Sequence, residues 1–252
     1  MYTYIYDSYL NDKKYQNALF RIESRLLELG INGRIEKLTI LKSLKELVAD
    51  AVDRKSETLV IVGNDETLTK AISFLPSHDT VVGMIPMGPK NEIAELLGVP
   101  QEVSACDTVS RRIIEHIDLG KANGQYFLSR LEIPDMTKVK LECNGYSVSM
   151  SHTGTGFICN MNLHKGPTHC NPQDGVLEAV IQPSDNHKSF AEIFKKKFSR
   201  SSVFPITSAF LRGFGENVPV LADGYTTLKT PVVIEIAPKR LQIIVGSRRS
   251  FS

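Results

Sequence analysis

Two segments of this chain carry residue types that could hold a phosphate. In the first, the apolar run 58–62 ends at Gly63, and Asn64, Asp65, Glu66 and Thr67 follow before a helical stretch that reaches Leu75. A strand that breaks at once into a helix aims backbone N–H groups and the positive end of the helix dipole at one spot, where an anion binds well. Gly63 permits close approach to the backbone, and Asn64 tolerates unusual backbone angles. The same residues also read as an ordinary turn with Asp65 or Glu66 capping the helix, and taken alone that plainer reading is the better one. The second segment, Ile85-Pro86-Met87-Gly88-Pro89-Lys90-Asn91-Glu92, again lies between a strand and a helix. Pro89 suits a first helical turn, while Lys90 and Asn91 could face a phosphate or a ribose. The alternative is a loop with a capping residue.

Other clusters carry less. Cys159, His164, His169 and Cys170 are close in sequence, but their spacing is not that of a standard zinc finger. Phe190, Phe194 and Phe198 flank Lys195, Lys196 and Lys197 on an expected helix over residues 189–197. Such a basic helix could lean on a membrane. Its apolar stripe more often packs inward while the lysines stay in water. Arg248 and Arg249 read as a solvated end.

The elements that must position the first two segments follow from periodicity. Residues 2–6, 58–62 and 81–85 are short β-prone runs, the last two without a polar break, as in strands buried on both faces. Leu19, Ile22, Leu26 and Leu29 recur at helical spacing and stop at Gly30; residues 41–52 and 91–97 repeat that pattern, the latter stopping at Gly98. Alternating strands and helices imply an open parallel sheet with covering helices. From about residue 134 the texture turns β-rich. Strands are expected over 138–142, 146–150, 156–159, 177–181, 232–236 and 241–245, separated by turn residues such as Asn144-Gly145 and Asp223-Gly224. The fold class is therefore α/β plus all-β: an α/β domain over residues 1–130 and an antiparallel β-sandwich over 131–252.

Composition sets outer limits. Lys+Arg 30 against Asp+Glu 28 gives a net charge of +2 over 252 residues, so no strong field draws the chain to nucleic acid or to an anionic membrane. No apolar run approaches a membrane span. The first residues lack the pattern of a signal peptide, and the four scattered cysteines read as reduced thiols of a cytoplasmic protein.

Taken in order, the segments resemble the diacylglycerol kinase catalytic domain family, which includes bacterial lipid kinases and sphingosine kinases. Gly63-Asn64-Asp65-Glu66-Thr67 is similar to its Gly-Gly-Asp-Gly-Thr. Residues 86–94 are similar to its Pro-x-Gly-Thr-x-Asn-Asp-x-Ala, with Leu97-Gly98-Val99-Pro100 after it. Residues 117–127 resemble an Ile-Asp-Leu-Gly-x-x-Asn-Gly-x-Tyr-Phe hairpin. Asp174-Gly175 resembles an Asp-Asp-Gly turn, and Asp223-Gly224 with Pro238 and Leu241 the closing motifs. The resemblance implies a nucleotide domain of the NAD kinase and phosphofructokinase type. It implies ATP and Mg²⁺ as cofactors and phosphorylation of diacylglycerol or a related lipid alcohol. By carry-over, Thr39, Gly63, Asn64, Asp65, Glu66, Thr67, Gly88 and Asn91 line the nucleotide site, Asp65 is the catalytic candidate, and Asn171, Asp174 and Val176 hold a metal. The partners it implies are a nucleotide and a lipid, not nucleic acid; peripheral membrane contact and a homodimer stay open.

Four departures from the pattern favour an alternative, a catalytically inactive nucleotide- or lipid-binding relative. Glu66 and Pro89 replace small or hydroxylated residues beside the phosphates. The N-terminal Asn-Pro-x-Ser-Gly loop is Tyr6-Asp7-Ser8-Tyr9-Leu10, without its glycine. The general-base Glu of the family is Tyr225, which at its ordinary pKa is a poor base at neutral pH.

Overall fold

The structure is a computed structural model that describes all residues except 76–79, 144, 162–169, 185–200, 216 and 252. The chain divides into two compact units. Met1–Asp118 and Pro238–Ser252 form the first, and Leu119–Ala237 the second. The division is not linear in sequence. The last strand returns its C-terminal part to the first unit, and residues 119–130 lie in the second, although the sequence places them before the expected boundary at 130.

The first unit is built on parallel strands. β1 (Tyr2–Tyr6), β2 (Arg34–Lys37), β3 (Thr58–Gly63) and β4 (Val81–Pro86) are ordered β2-β1-β3-β4. Tyr4 lies opposite Val60, and Val60 opposite Gly83. Every residue of β3 and β4 is buried, as their unbroken apolar runs require. The helices are α1 (Gln16–Glu28), α2 (Leu44–Asp53), α3 (Asp65–Ser73), α4 (Glu92–Leu96) and α5 (Val103–Arg111). α1 buries Leu19, Ile22 and Leu26, the stripe seen in the sequence, and the chain leaves it through Gly30 at φ 68°. Ser43 and Glu46 close a capping box at the start of α2: the Ser43 side chain accepts the Glu46 N–H, and the Glu46 carboxylate accepts the Ser43 N–H at 2.8 Å.

The second unit is an antiparallel sandwich, as its β-rich texture implies. Its strands are β5 (Ile114–Ala122, entered from the first unit), β6 (Gln125–Phe127), β7 (Arg130–Ile133), β8 (Val139–Cys143), β9 (Tyr146–Val148), β10 (Gly154–Cys159), β11 (Leu177–Pro183), β12 (Ser202–Ile206), β13 (Ser208–Gly213), β14 (Pro219–Ala222), β15 (Thr226–Lys229) and β16 (Val232–Ile244, leaving toward the first unit). One sheet runs β12-β11-β10-β7-β14-β15; the other joins the first residues of β16 to β13, β8 and β9. Inner-face residues of both sheets, among them Leu131, Ile158 and Ala179 from one and Leu141, Leu211 and Ile234 from the other, form one core. β5 and β6 make the hairpin the resemblance implies. Asn123 (φ 47°) and Gly124 (φ 85°) supply the two positive angles its tight turn needs. The strands expected over 232–236 and 241–245 are one strand, bent at Lys239 (φ 51°).

The expected basic helix over 189–197, with Phe190, Phe194, Phe198 and its lysines, lies outside the described residues, as do His164 and His169. Among the described residues no helix is long and apolar enough to cross a membrane.

Candidate functional site

The loops that follow β1, β2, β3 and β4 all leave the C-terminal edge of one parallel sheet, the edge where open α/β sheets bind ligands. They carry Asp7, Thr39, Gly63 to Thr67, and Gly88 to Asn91. The expected nucleotide residues other than Thr39 are drawn together by hydrogen bonds. Thr39 lies in the tight turn before α2, where its hydroxyl accepts the Lys42 N–H at 3.2 Å, and no hydrogen bond among the described residues ties it to the Gly63 turn.

The turn after β3 is held by its own side chains. Asn64 caps α3, its side-chain oxygen accepting the Thr67 N–H at 3.2 Å. The Thr67 hydroxyl donates to the Asp7 carboxylate, which reaches it from the loop after β1. A Cβ on Gly63 would sit 3.3 Å from the Asp7 Cβ and 3.3 Å from the Thr67 hydroxyl, so this glycine is needed for the chain's own packing. Glu66 turns along its helix to pair with Lys70 at 2.6 Å. Asp65 is buried and faces α4. Its two oxygens accept the N–H of Ile93 at 2.8 Å and of Ala94 at 3.4 Å, while its own N–H donates to the Lys90 carbonyl at 3.1 Å. Burial pushes its carboxyl up to about 6, against the pull of those N–H groups toward the ionised form.

The loop after β4 is covered. Gly88, at φ 71°, lies beneath two tyrosines from the N-terminal segment. A Cβ there would meet the Tyr9 ring at 3.2 Å and the Tyr15 hydroxyl at 3.3 Å. The Tyr9 hydroxyl donates to the Met87 carbonyl at 2.8 Å, and the two rings meet edge to face with centroids 5.7 Å apart. The Asn91 side-chain nitrogen donates to the Gly88 carbonyl at 2.7 Å, and its side-chain oxygen is buried without a partner among the described residues.

The carboxylate held at the first turn of α3 from another loop is that of Asp7, while Asp65 is turned to α4 and Glu66 to Lys70. A phosphate placed about 4 Å from the Asp7 carboxylate meets a repulsion of about 1 kcal/mol in water and about 4 kcal/mol at an effective dielectric near 20. The residues therefore do not fit the triphosphate tail that the fold family implies. Sequence reasoning noted the missing glycine of the 6–10 loop but not that Asp7, Tyr9 and Tyr15 would close on the other two loops. Leu10, buried where the family has glycine, was the available signal.

In the second unit, Asn171, Asp174 and Val176 share one turn. The Asn171 carbonyl accepts the Asp174 N–H at 3.4 Å, and the Asp174 carboxylate accepts the Val176 N–H at 3.0 Å. One carboxylate with nearby carbonyls is a donor set that suits a hard cation whose shell water completes. No group of three or more His, Cys, Asp or Glu poised for a metal occurs among the described residues. Cys159 and Cys170 are free thiols, and burial lifts the Glu178 carboxyl to about 7. Asp223 acts as a clamp. Its carboxylate accepts the N–H groups of Leu128, Ser129 and Arg130 and the Ser129 hydroxyl at 2.6 to 3.2 Å. Tyr225 follows it in a turn whose positive angles are taken by Asp223 (φ 51°) and Gly224 (φ 73°).

Residues 2–122 match the family model of the diacylglycerol kinase catalytic domain. A Bacillus subtilis diacylglycerol kinase is 26% identical over 129 residues, which span 50% of this chain and 43% of that protein. A solved structure of a diacylglycerol kinase from Bacillus anthracis superposes with a TM-score of 0.79 at 20% identity, covering 98% of this chain and 97% of that one. An Archaeoglobus fulgidus NAD kinase, solved in complex with ATP, gives 0.62 at 15% identity, with 99% and 95% covered. These likenesses establish the two-part fold. Within the matched residues 2–122, the loops whose residues differ from the motifs they resemble are the ones that Asp7, Tyr9 and Tyr15 contact.

Proposed function

We propose that this lipid-kinase-like protein is a catalytically inactive relative in its family, one that does not transfer phosphate and whose remaining capacity is to bind a lipid alcohol. The observation that carries this reading is the Asp7 carboxylate held against Gly63 by the Thr67 hydroxyl, with Tyr9 and Tyr15 over Gly88. The chain's own anion and rings occupy the ground that a nucleotide's phosphates would need. Tyr225 in place of the family's Glu adds to it: general-base help is worth about 10²–10⁴-fold. Asp65 supports it too, since both its oxygens hold α4.

Phosphorylation of diacylglycerol or a related lipid alcohol is the second reading. The buried, unpartnered Asn91 oxygen favours it, because a ligand could satisfy that atom. In that case Asn171, Asp174 and Val176 would hold Mg²⁺, which would supply positive charge near the transferred group.

Incubation with labelled ATP, Mg²⁺ and a panel of lipid alcohols separates the two. The first reading expects no labelled lipid above a Gly63→Asp control. Labelling clearly above that control contradicts it.

A further inference from the structure

A polar cleft lies in the first unit, between α5 and the C-terminal segment. It is open to solvent, has a volume of about 350 Å³, and is lined by Ser104, Asp107 and Arg111 of α5, by Gly98 after α4, and by Ser247 and Arg248 of the C-terminal segment. Its floor is fixed by backbone. The Gly246 N–H donates to the Leu97 carbonyl at 2.8 Å, and the Val245 N–H to the Ile113 carbonyl at 2.9 Å. Ser250 N–H donates to the Leu96 carbonyl at 2.8 Å, and Arg249 pairs with Glu115 at 2.7 Å. A Cβ on Gly246 would fall 1.8 Å from the Gly98 carbonyl oxygen, so the two backbones touch with nothing between them. Of the expected solvated end, Arg248 is exposed, while the backbone around it and Arg249 are pinned at four points.

The charges in this cleft are unbalanced. Its one carboxylate, Asp107, is already neutralised by Arg25 at 2.6 Å. Neither Arg111 nor Arg248 makes an ion pair or a side-chain hydrogen bond among the described residues, and the Ser104 and Ser247 hydroxyls are likewise without a partner there. Two guanidinium forks and two hydroxyls on residues lining one cleft form a donor set for a tetrahedral oxyanion, since a fork matches two phosphate oxygens at once. The volume leaves room for an organic group beyond the anion.

We infer that this cleft binds the phosphate group of a phosphate ester, held by Arg111 and Arg248. The phosphate could belong to a soluble molecule or to a lipid headgroup. The site does not depend on whether the protein transfers phosphate, because none of its residues lies in the loops after β1 to β4.

The test is titration calorimetry of the full chain with inorganic phosphate and with glycerol phosphate, alongside flotation with phosphatidic acid vesicles and with phosphatidylcholine vesicles. Saturable binding to any of the three phosphate probes is expected. It should weaken at least about tenfold in Arg111→Gln/Arg248→Gln, since each charge-assisted contact is worth that much or more. Both arginines are exposed, so the double variant should melt with the wild type; the single Arg248→Glu variant serves if it does not. Calorimetric binding assigns a soluble ester, and binding to phosphatidic acid vesicles alone assigns a headgroup. No saturable binding to any phosphate probe, or binding of undiminished strength in the arginine variants, overturns the inference.

Discussion

Asp65 is a buried carboxyl that ionises only when pH passes about 6, whereas in the unfolded chain it does so near 3.8. A raised folded-state pKa means the native protein holds this proton more tightly than the unfolded one. The stability it confers is full below about pH 3.8 and is lost as pH rises through about 6. A shift of this size corresponds to about 3 kcal/mol. Asp65→Asn removes that slope. The stability of the variant relative to wild type should therefore rise by a few kcal/mol between pH 4 and pH 7, read from urea midpoints at each pH. A difference that stays flat would mean that the N–H groups of Ile93 and Ala94 fully offset burial. Glu178, lifted to about 7 by burial, acts in the same direction in the second unit, which is why the comparison is made within one variant pair. The same residue illustrates what a sequence shows at this scale. The reading of Asp65 as a cap was open from its place after a strand, but the helix that its side chain caps is α4, 28 residues on. Nothing local encodes a contact of that span. The Thr67–Asp7 bond, across 60 residues, and the Tyr9–Met87 bond, across 78, were hidden for the same reason.

Two elements depend on single polar side chains. Asp223 joins the turn after β14 to the start of β7 through three N–H groups and a hydroxyl. Asp223→Ala strands those donors, so a loss of about 2–4 kcal/mol is expected in chemical denaturation. A change under about 0.5 kcal/mol would mean water replaces the carboxylate. At α2, Ser43→Ala removes half of the capping box and should cost about 1 kcal/mol in the same assay; no loss would show that Glu46 alone holds the helix start. Strong periodicity made some elements legible. β3 and β4 are unbroken apolar runs, and α1 has a clean stripe closed by Gly30. β2 was not legible, because Arg34–Lys37 is a charged edge strand with only Glu36 buried. α5 was missed because its buried face is small and mixed, Ala105, Cys106, Thr108 and Val109, and no side chain caps its start.

For the molecule as a whole, the two-part architecture was readable from the change of texture near residue 134, and the family from motifs spread over nearly the full chain. The return of the last strand was not, because its two apolar runs, 232–236 and 241–245, look like separate strands on either side of Pro238. Here they form a single strand whose ends serve different units. On the proposed reading, Asp7, Tyr9 and Tyr15 of the first unit stand where a nucleotide's phosphates would have to lie. That reading is tested most directly by calorimetric titration of ATP with Mg²⁺ into wild type and into an Asp7→Asn/Tyr9→Ser variant. The account predicts no saturable binding to the wild type and measurable binding once the carboxylate and the ring are gone. Tight ATP binding by the wild type, unchanged or weakened in the variant, would contradict it.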